Sequence, residues 1–160
     1  QTTISPSLMK DTAATVKRIV DGDTIELASG DKVRYIGIDT PEKNSPTVSK
    51  QCFADEASAY NQSIVEGKNV KITQDRSARD RYGRLLAYVY LEDGTFLNAD
   101  LVKKGYAFAS EYPPDTAKQA VLDQAQESAR SQGLGLWKKC EILIDKNGRY
   151  HTNVLVPGNG

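Results

Sequence analysis

Five side chains between positions 23 and 84 are of the types that hydrolysis of a phosphodiester would need: Asp23, Arg34, Asp39, Glu42 and Arg84. Such a reaction requires a base for the attacking water, cations for the charge that builds on the phosphorus oxygens, and fixed positions for both reactants. Asp23 and Asp39 offer hard anionic oxygens of the kind Ca2+ takes, each in a turn beside a strand, and the carbonyl of Thr40 at the following bend can complete a shell. Glu42 follows Pro41, and a carboxylate on a rigid turn can serve as a general base. Arg34 sits in an apolar strand pattern and shares a face with Ile36 and Ile38, so its guanidinium needs an anion, for which a phosphate is suited. Arg84 follows Tyr82-Gly83, where glycine permits close approach and Tyr82 can donate a hydrogen bond or stack on a base.

Taken singly, each of these residues has a plainer explanation. Aspartates in DG and DT turns are usually turn formers. Glu42 reads equally as an exposed loop glutamate, Arg34 as half of a salt bridge, and Arg84 as a surface arginine at a loop-to-strand junction. Charge distribution has two readings as well. The formal net charge is zero. Between Asp21 and Glu42, however, acids outnumber bases six to two, and between Lys68 and Arg84 bases outnumber acids six to two. These are either two solvated faces that pair with each other, or a cation site beside a phosphate site.

The elements that must position these residues follow from periodicity and turn signals. Residues 14–20, 24–28 and 32–38 read as three strands of a meander, turned at Asp21-Gly22-Asp23 and Ser29-Gly30-Asp31. A polar loop spans 43–51. Phe53, Ala57, Tyr60 and Ile64 then recur at helical spacing, and Gly67 ends that helix. Residues 70–74 and 84–91 suit a fourth and a fifth strand, separated by a charged loop over 75–83. Asn98 can cap a short helix that stops at Gly105. A third helix starts at Thr116 with Ala117, Val121, Ala125 and Ala129 on one face and ends near Gly133. The runs 141–145 and 150–156 flank Asn147-Gly148 as a hairpin. This outlines an α+β, mainly β fold: a five-stranded OB-type barrel with three helices and a C-terminal β-hairpin. The expected division is an N-terminal arm over 1–12, one domain over 13–140 and a hairpin extension over 141–160.

With 160 residues, 39% hydrophobic and 26% charged, the chain suits one globular domain. It has no apolar run near 18 residues, so no membrane span is expected, and no signal peptide is visible. It begins at Gln1, as a processed mature form or a trimmed chain would. Cys52 and Cys140 lack the spacing of a metal site, and His151 is the one histidine, which argues against a zinc enzyme or a histidine triad. The two cysteines are either free thiols or one disulfide closing a long loop. A disulfide would contribute roughly 4 kcal/mol and suit a secreted setting.

Four ordered segments carry a resemblance: Asp21-Gly22-Asp23-Thr24, residues 34–38, Asp39-Thr40-Pro41-Glu42, and Asp80-Arg81-Tyr82-Gly83-Arg84. With Asp55-Glu56-Ala57-Ser58, residues 85–90, the stretch 98–105 and Gly135-Leu136-Trp137, they resemble the staphylococcal nuclease family in order and spacing over residues 14–138. The resemblance implies an OB barrel with three helices and a Ca2+-dependent nuclease that cleaves DNA and RNA, prefers flexible or single strands and leaves 3′-phosphates. Asp23, Asp39 and the Thr40 carbonyl match the calcium-binding positions, Glu42 the general base, and Arg34 and Arg84 the arginines that stabilise the pentacoordinate phosphate. Tyr82 and Arg81 match residues that contact a terminal phosphate of the nucleotide. The chain departs from the family over residues 43–50 and at Ser110-Glu111-Tyr112-Pro113-Pro114, where Tyr112 is the stacking candidate; Cys52, Cys140 and the tail hairpin are additions. A monomer, secreted or on the cell surface, is expected. The rival reading is an OB-fold nucleic-acid-binding module without catalysis. That module has no need of the five charged residues together.

Overall fold

The computed structural model describes residues 11–43, 46 and 49–155. Strands β1 (Asp11–Asp21), β2 (Thr24–Leu27), β3 (Lys32–Tyr35), β5 (Asn69–Thr73) and β6 (Leu85–Leu91) close a barrel in the order β1-β2-β3-β6-β5. All pairings are antiparallel except β3 with β6, which run parallel. Alternation fills the barrel: Val16, Ile25, Val33, Tyr35, Val70 and Val89 point inward and are buried. Burying such side chains stabilises the fold by about 1.5–3 kcal/mol each. Helices α1 (Ala54–Val65), α2 (Leu97–Lys103) and α3 (Gln119–Gln132) are the three expected, and a single turn, α4 (Leu136–Lys139), adds a fourth. Two short sheets complete the set, β4 (Ile38–Asp39) with β7 (Phe108–Ala109), and the hairpin β8 (Ile142–Ile144) with β9 (Tyr150–Thr152).

The strand expected over 32–38 is two strands. It breaks at Ile36-Gly37, and Ile38-Asp39 leaves the barrel to pair with β7. Gly37 has φ 79°, and a Cβ there would run into the Leu122 side chain of α3. Only glycine makes this corner cheaply. The break ends the simple alternation that grouped Arg34 with Ile36 and Ile38.

Two helix details also differ from expectation. Asn98 is not a cap: it lies inside α2, fully buried, and the residue preceding the helix makes no side-chain cap. Its Oδ1 accepts the Val89 N–H at 2.9 Å and its Nδ2 donates to the Ile36 carbonyl at 2.9 Å, so it ties α2 to β6 and to the strand break. In α3 the buried face is Leu122, Ala125 and Ala129, while Val121 is exposed. Position 122 rather than 121 carries the i, i+3, i+7 series. The helix begins at Gln119 instead of Thr116 and stops at Gly133, in the left-handed conformation.

Of the arm expected over 1–12, Asp11 and Thr12 open β1 and the rest lies outside the described residues. So do residues 44, 45, 47 and 48 of the polar loop and Val156 of the tail. Cys52 and Cys140 are joined, with Sγ atoms 2.05 Å and Cα atoms 5.8 Å apart. Among the described residues, no helix is long and apolar enough to cross a membrane.

Candidate functional site

The acidic side of the site is built on two adjoining turns. Gly22 lets the β1–β2 turn press against Thr40 and α1, since a Cβ there would lie 2.9 Å from Thr40 Oγ1 and 3.0 Å from Ala57 Cβ. This brings Asp23 to the bend after β4, where its Oδ2 accepts the Thr40 N–H at 3.1 Å and its Oδ1 accepts the Thr24 hydroxyl at 3.1 Å. The same Oδ2 lies 3.4 Å from Arg34 Nη2, and Asp39 Oδ1 lies 3.2 Å from that nitrogen. One guanidinium nitrogen therefore bridges two carboxylates. The other, Nη1, donates to the carbonyls of Tyr35 at 2.7 Å and Ile38 at 2.9 Å, which the strand break turns toward it. The salt-bridge reading of Arg34 holds, and the residue also lines an open cleft.

Carboxylates outnumber this cation. Burial, then repulsion from Asp23, pushes the Asp21 carboxyl up to about 7. Burial pushes Asp39 up to about 6, against the pull of Arg34 and, more weakly, of Arg149. Asp23 goes the other way: burial raises it, but the Arg34 charge and hydrogen bonds from Asp21 and Thr40 hold it below the usual range. Glu42 is raised by partial burial and by the charge of Asp23. Its side chain is exposed at the rim, and Gln51 fixes its backbone, accepting the Glu42 N–H and donating to its carbonyl, both at 2.8 Å.

The basic side comes from the loop between β5 and β6. Asp115 accepts the N–H groups of Arg76 and Ser77 at 2.9 and 2.7 Å and holds the start of the loop. Asp80 organises its end. One oxygen accepts the N–H groups of Tyr82 and Arg84 at 2.9 and 3.0 Å, and the other accepts Arg84 Nε at 2.7 Å. Tyr82 is 68% exposed, with the guanidiniums of Arg81 and Arg84 5.0 and 5.4 Å from its ring centre. Arg81 also donates to the Tyr82 hydroxyl at 2.8 Å.

A cleft of about 400 Å3 unites the two sides and is lined by Arg34, Asp39, Arg81, Tyr82, Arg84 and Tyr112, among others. Thr40 and Glu42 line an adjoining hollow that also reaches Asp39. Asp23 stands beneath, bonded to Arg34 and Thr40. The structure thus brings together all nine residues singled out from the sequence for the site. Four others at the site carried no sequence signal of their own: Asp21, Asp80 and Ser110 inside quoted segments, and Arg149, which reaches the cleft only through folding.

A surplus of half-buried carboxylates around one guanidinium suits an added divalent cation with oxygen ligands. Among the described residues no three Asp, Glu, His or Cys side chains converge as a preformed cluster. The oxygens that could hold such an ion are the Asp23 and Asp39 carboxylates, which share Arg34 Nη2, and the Thr40 carbonyl at the bend beside them.

A family model described as "Staphylococcal nuclease homologue" matches residues 32–139. A thermonuclease of Staphylococcus intermedius is 39% identical over 127 residues, covering 78% of this chain and 75% of that protein. An uncharacterized endonuclease of Escherichia coli O157:H7 is 38% identical over 140 residues, or 85% of this chain and 84% of that protein. The SPbeta prophage-derived endonuclease YokF of Bacillus subtilis (strain 168) is 37% identical over 137 residues, covering 82% of this chain. The chain spans only 46% of the length of YokF.

Proposed function

The chain belongs to the staphylococcal nuclease family, and from that membership we infer that it is a hydrolase that cuts phosphodiester bonds of nucleic acid. We propose further that it acts on DNA and RNA, favours single or flexible strands, requires Ca2+ and leaves 3′-phosphates. The observation that carries this reading is that Arg34, on β3, and Arg84, at the end of the loop before β6, line one cleft with Asp39, beside a hollow containing Glu42.

Glu42, at the rim and raised above the ordinary range, accepts the proton of the water that attacks phosphorus. Arg34 and Arg84 donate to the oxygens that gain charge as the phosphorus becomes pentacoordinate, and the bond to the 5′ oxygen then breaks. Arg84 is held by Asp80 through Nε, so it need not reorganise as charge develops, whereas Arg34, whose Nη atoms already face two carbonyls and two carboxylates, offers the phosphate its charge and Nε. Asp23, Asp39 and the Thr40 carbonyl would hold Ca2+, which when bound neutralises phosphate charge and polarises a water molecule. Tyr82 and Arg81 contact the terminal phosphate, and Tyr112, 41% exposed at the cleft, stacks on a base. The Cys52–Cys140 pair supports a secreted or cell-surface setting, and the enzyme is proposed to act as a monomer.

Purified protein is expected to degrade single-stranded DNA with Ca2+ and to stop when a chelator is added. Glu42→Gln should lower turnover by about 100-fold or more. A Glu42→Gln variant as fast as the parent would sink the mechanism. A parent that binds DNA without cutting it in Ca2+ would make the chain a binding module.

A further inference from the structure

The C-terminal hairpin reaches the cleft through one side chain. Three hollows adjoin the reaction centre: the arginine cleft of about 400 Å3, the hollow beside Glu42 of about 320 Å3, and a trough of about 360 Å3 between the hairpin turn and residues 108–113. Asp39 and Arg149 line all three. A polyanionic strand seated on Arg34 and Arg84 must leave the cleft, and either neighbouring hollow takes it past Arg149.

Arg149 is built to be there. Its backbone is fixed at the turn, where its N–H donates to Asp145 Oδ1 at 3.0 Å and its carbonyl accepts the Asp145 N–H at 2.9 Å. The next residue, Tyr150, stacks on Phe108 and meets the edge of Trp137, with ring centres 5.5 and 5.8 Å apart. The guanidinium is exposed and donates from Nη1 to Ser110 Oγ at 2.7 Å. Ser110 in turn donates its N–H to the Gly37 carbonyl at the strand break, at 2.7 Å. Among the described residues, no carboxylate lies within ion-pair distance of Arg149, although the charges of Asp39 and Asp145 act on it from farther off. A guanidinium whose partner is a neutral hydroxyl can take a phosphate without giving up an ion pair.

We propose that Arg149 binds a backbone phosphate of the substrate strand adjacent to the one being cut, which makes the hairpin a wall of the substrate site. The proposal rests on the nuclease reading above and concerns binding, not the chemical step.

The test compares the parent with Arg149→Ala, Arg149→Lys and Lys146→Ala, the last an exposed charge on the same turn that lines none of the three hollows. The probe is a fluorescein-labelled 12-residue single-stranded DNA, followed by anisotropy across a salt series, together with steady-state cleavage of the same strand. Arg149→Ala should raise KM about tenfold with kcat within twofold of the parent, and lower the slope of log affinity against log salt by about 0.7. Arg149→Lys should restore the slope, and Lys146→Ala should move neither value. A nucleotide ester with a single phosphodiester should be cut equally by parent and Arg149→Ala. Parental affinity and slope in Arg149→Ala, or an equal loss in Lys146→Ala, would overturn the proposal. If the parent cuts nothing, the nuclease reading falls, and the anisotropy slopes still decide whether Arg149 meets a phosphate.

Discussion

Asp80 grips Arg84 at both of its inner donors, taking the backbone N–H on one oxygen at 3.0 Å and Nε on the other at 2.7 Å. With Nε engaged, the two terminal nitrogens are directed away from Asp80 in the fixed plane of the guanidinium. Asp80→Ala should therefore lower kcat about tenfold by releasing Arg84, with a smaller change in KM. In an Arg84→Ala background the same substitution should cost almost nothing more. Full additivity in this double-mutant cycle would show that Asp80 does not act through Arg84.

The same clasp should make the loop acid-sensitive. Burial alone would raise the Asp80 carboxyl, but hydrogen bonds from the Arg84 N–H, the Arg84 side chain and the Tyr82 N–H outweigh it and hold the group below its ordinary 3.8. A depressed carboxyl stabilises the folded state above the unfolded value, and that contribution is lost as pH falls through the lower folded value. Amide exchange at Tyr82 and Arg84 should therefore accelerate below about pH 3.8 in the parent. In Asp80→Asn it should be faster already at neutral pH, with no further acid step at that position.

Arg34 has a structural role that its proposed catalytic role conceals. Arg34→Ala would leave Asp23 buried without its cation and strip two carbonyls of their donor. Breaking a buried pair from one side costs about 3 kcal/mol. Denaturant unfolding should show a loss of that order. Added Ca2+ should raise the melting temperature of the variant more than that of the parent, because the unpaired carboxylates gain more from a cation. Equal shifts in both proteins would argue against Asp23 and Asp39 as the calcium donors.

Asn98→Ala should be worse than the loss of a helix cap, which typically costs about 1 kcal/mol. The substitution leaves the buried Val89 N–H and the Ile36 carbonyl without their side-chain partner. Each unsatisfied buried group costs about 1–3 kcal/mol. A measured loss near or below 1 kcal/mol, by denaturant unfolding, would mean that water replaces the side chain.

Arg34, Asn98 and their neighbours mark where the sequence could be read and where it could not. The barrel strands were legible because alternation and Asp-Gly turns are local signals. Arg34, Glu42 and Arg84 were legible through ordered segments, although none stands out by itself. The break at Gly37 was hidden because the flanking residues remain apolar on both sides of it, and its cause, Leu122 of α3, lies far along the chain. Asn98 looked like a cap because a polar residue at a helix start usually is one; its partners lie on β6 and at Ile36. Val121 and Leu122 are both apolar, so composition could not tell which faces the core. Arg149 belongs to no local pattern, and only the pairing of β8 with β9 and the seat of Tyr150 carry it to the cleft.

Packing of Tyr150 on Phe108 and Trp137 and burial of Thr152 seat the hairpin on the rest of the molecule. Its hydrogen bonds to other segments run to Lys50, Cys52 and Ser110, and among the described residues none runs to a barrel strand. The disulfide from Cys52 closes onto Cys140 just before β8. The turn over 145–149 can therefore be exchanged without breaking a hydrogen bond to a barrel strand, whereas Arg34 is tied to Asp23 and to the strand break and cannot. If Arg149 meets the substrate as proposed, recharging that turn would alter which chains bind while leaving the residues around Arg34 and Arg84 in place.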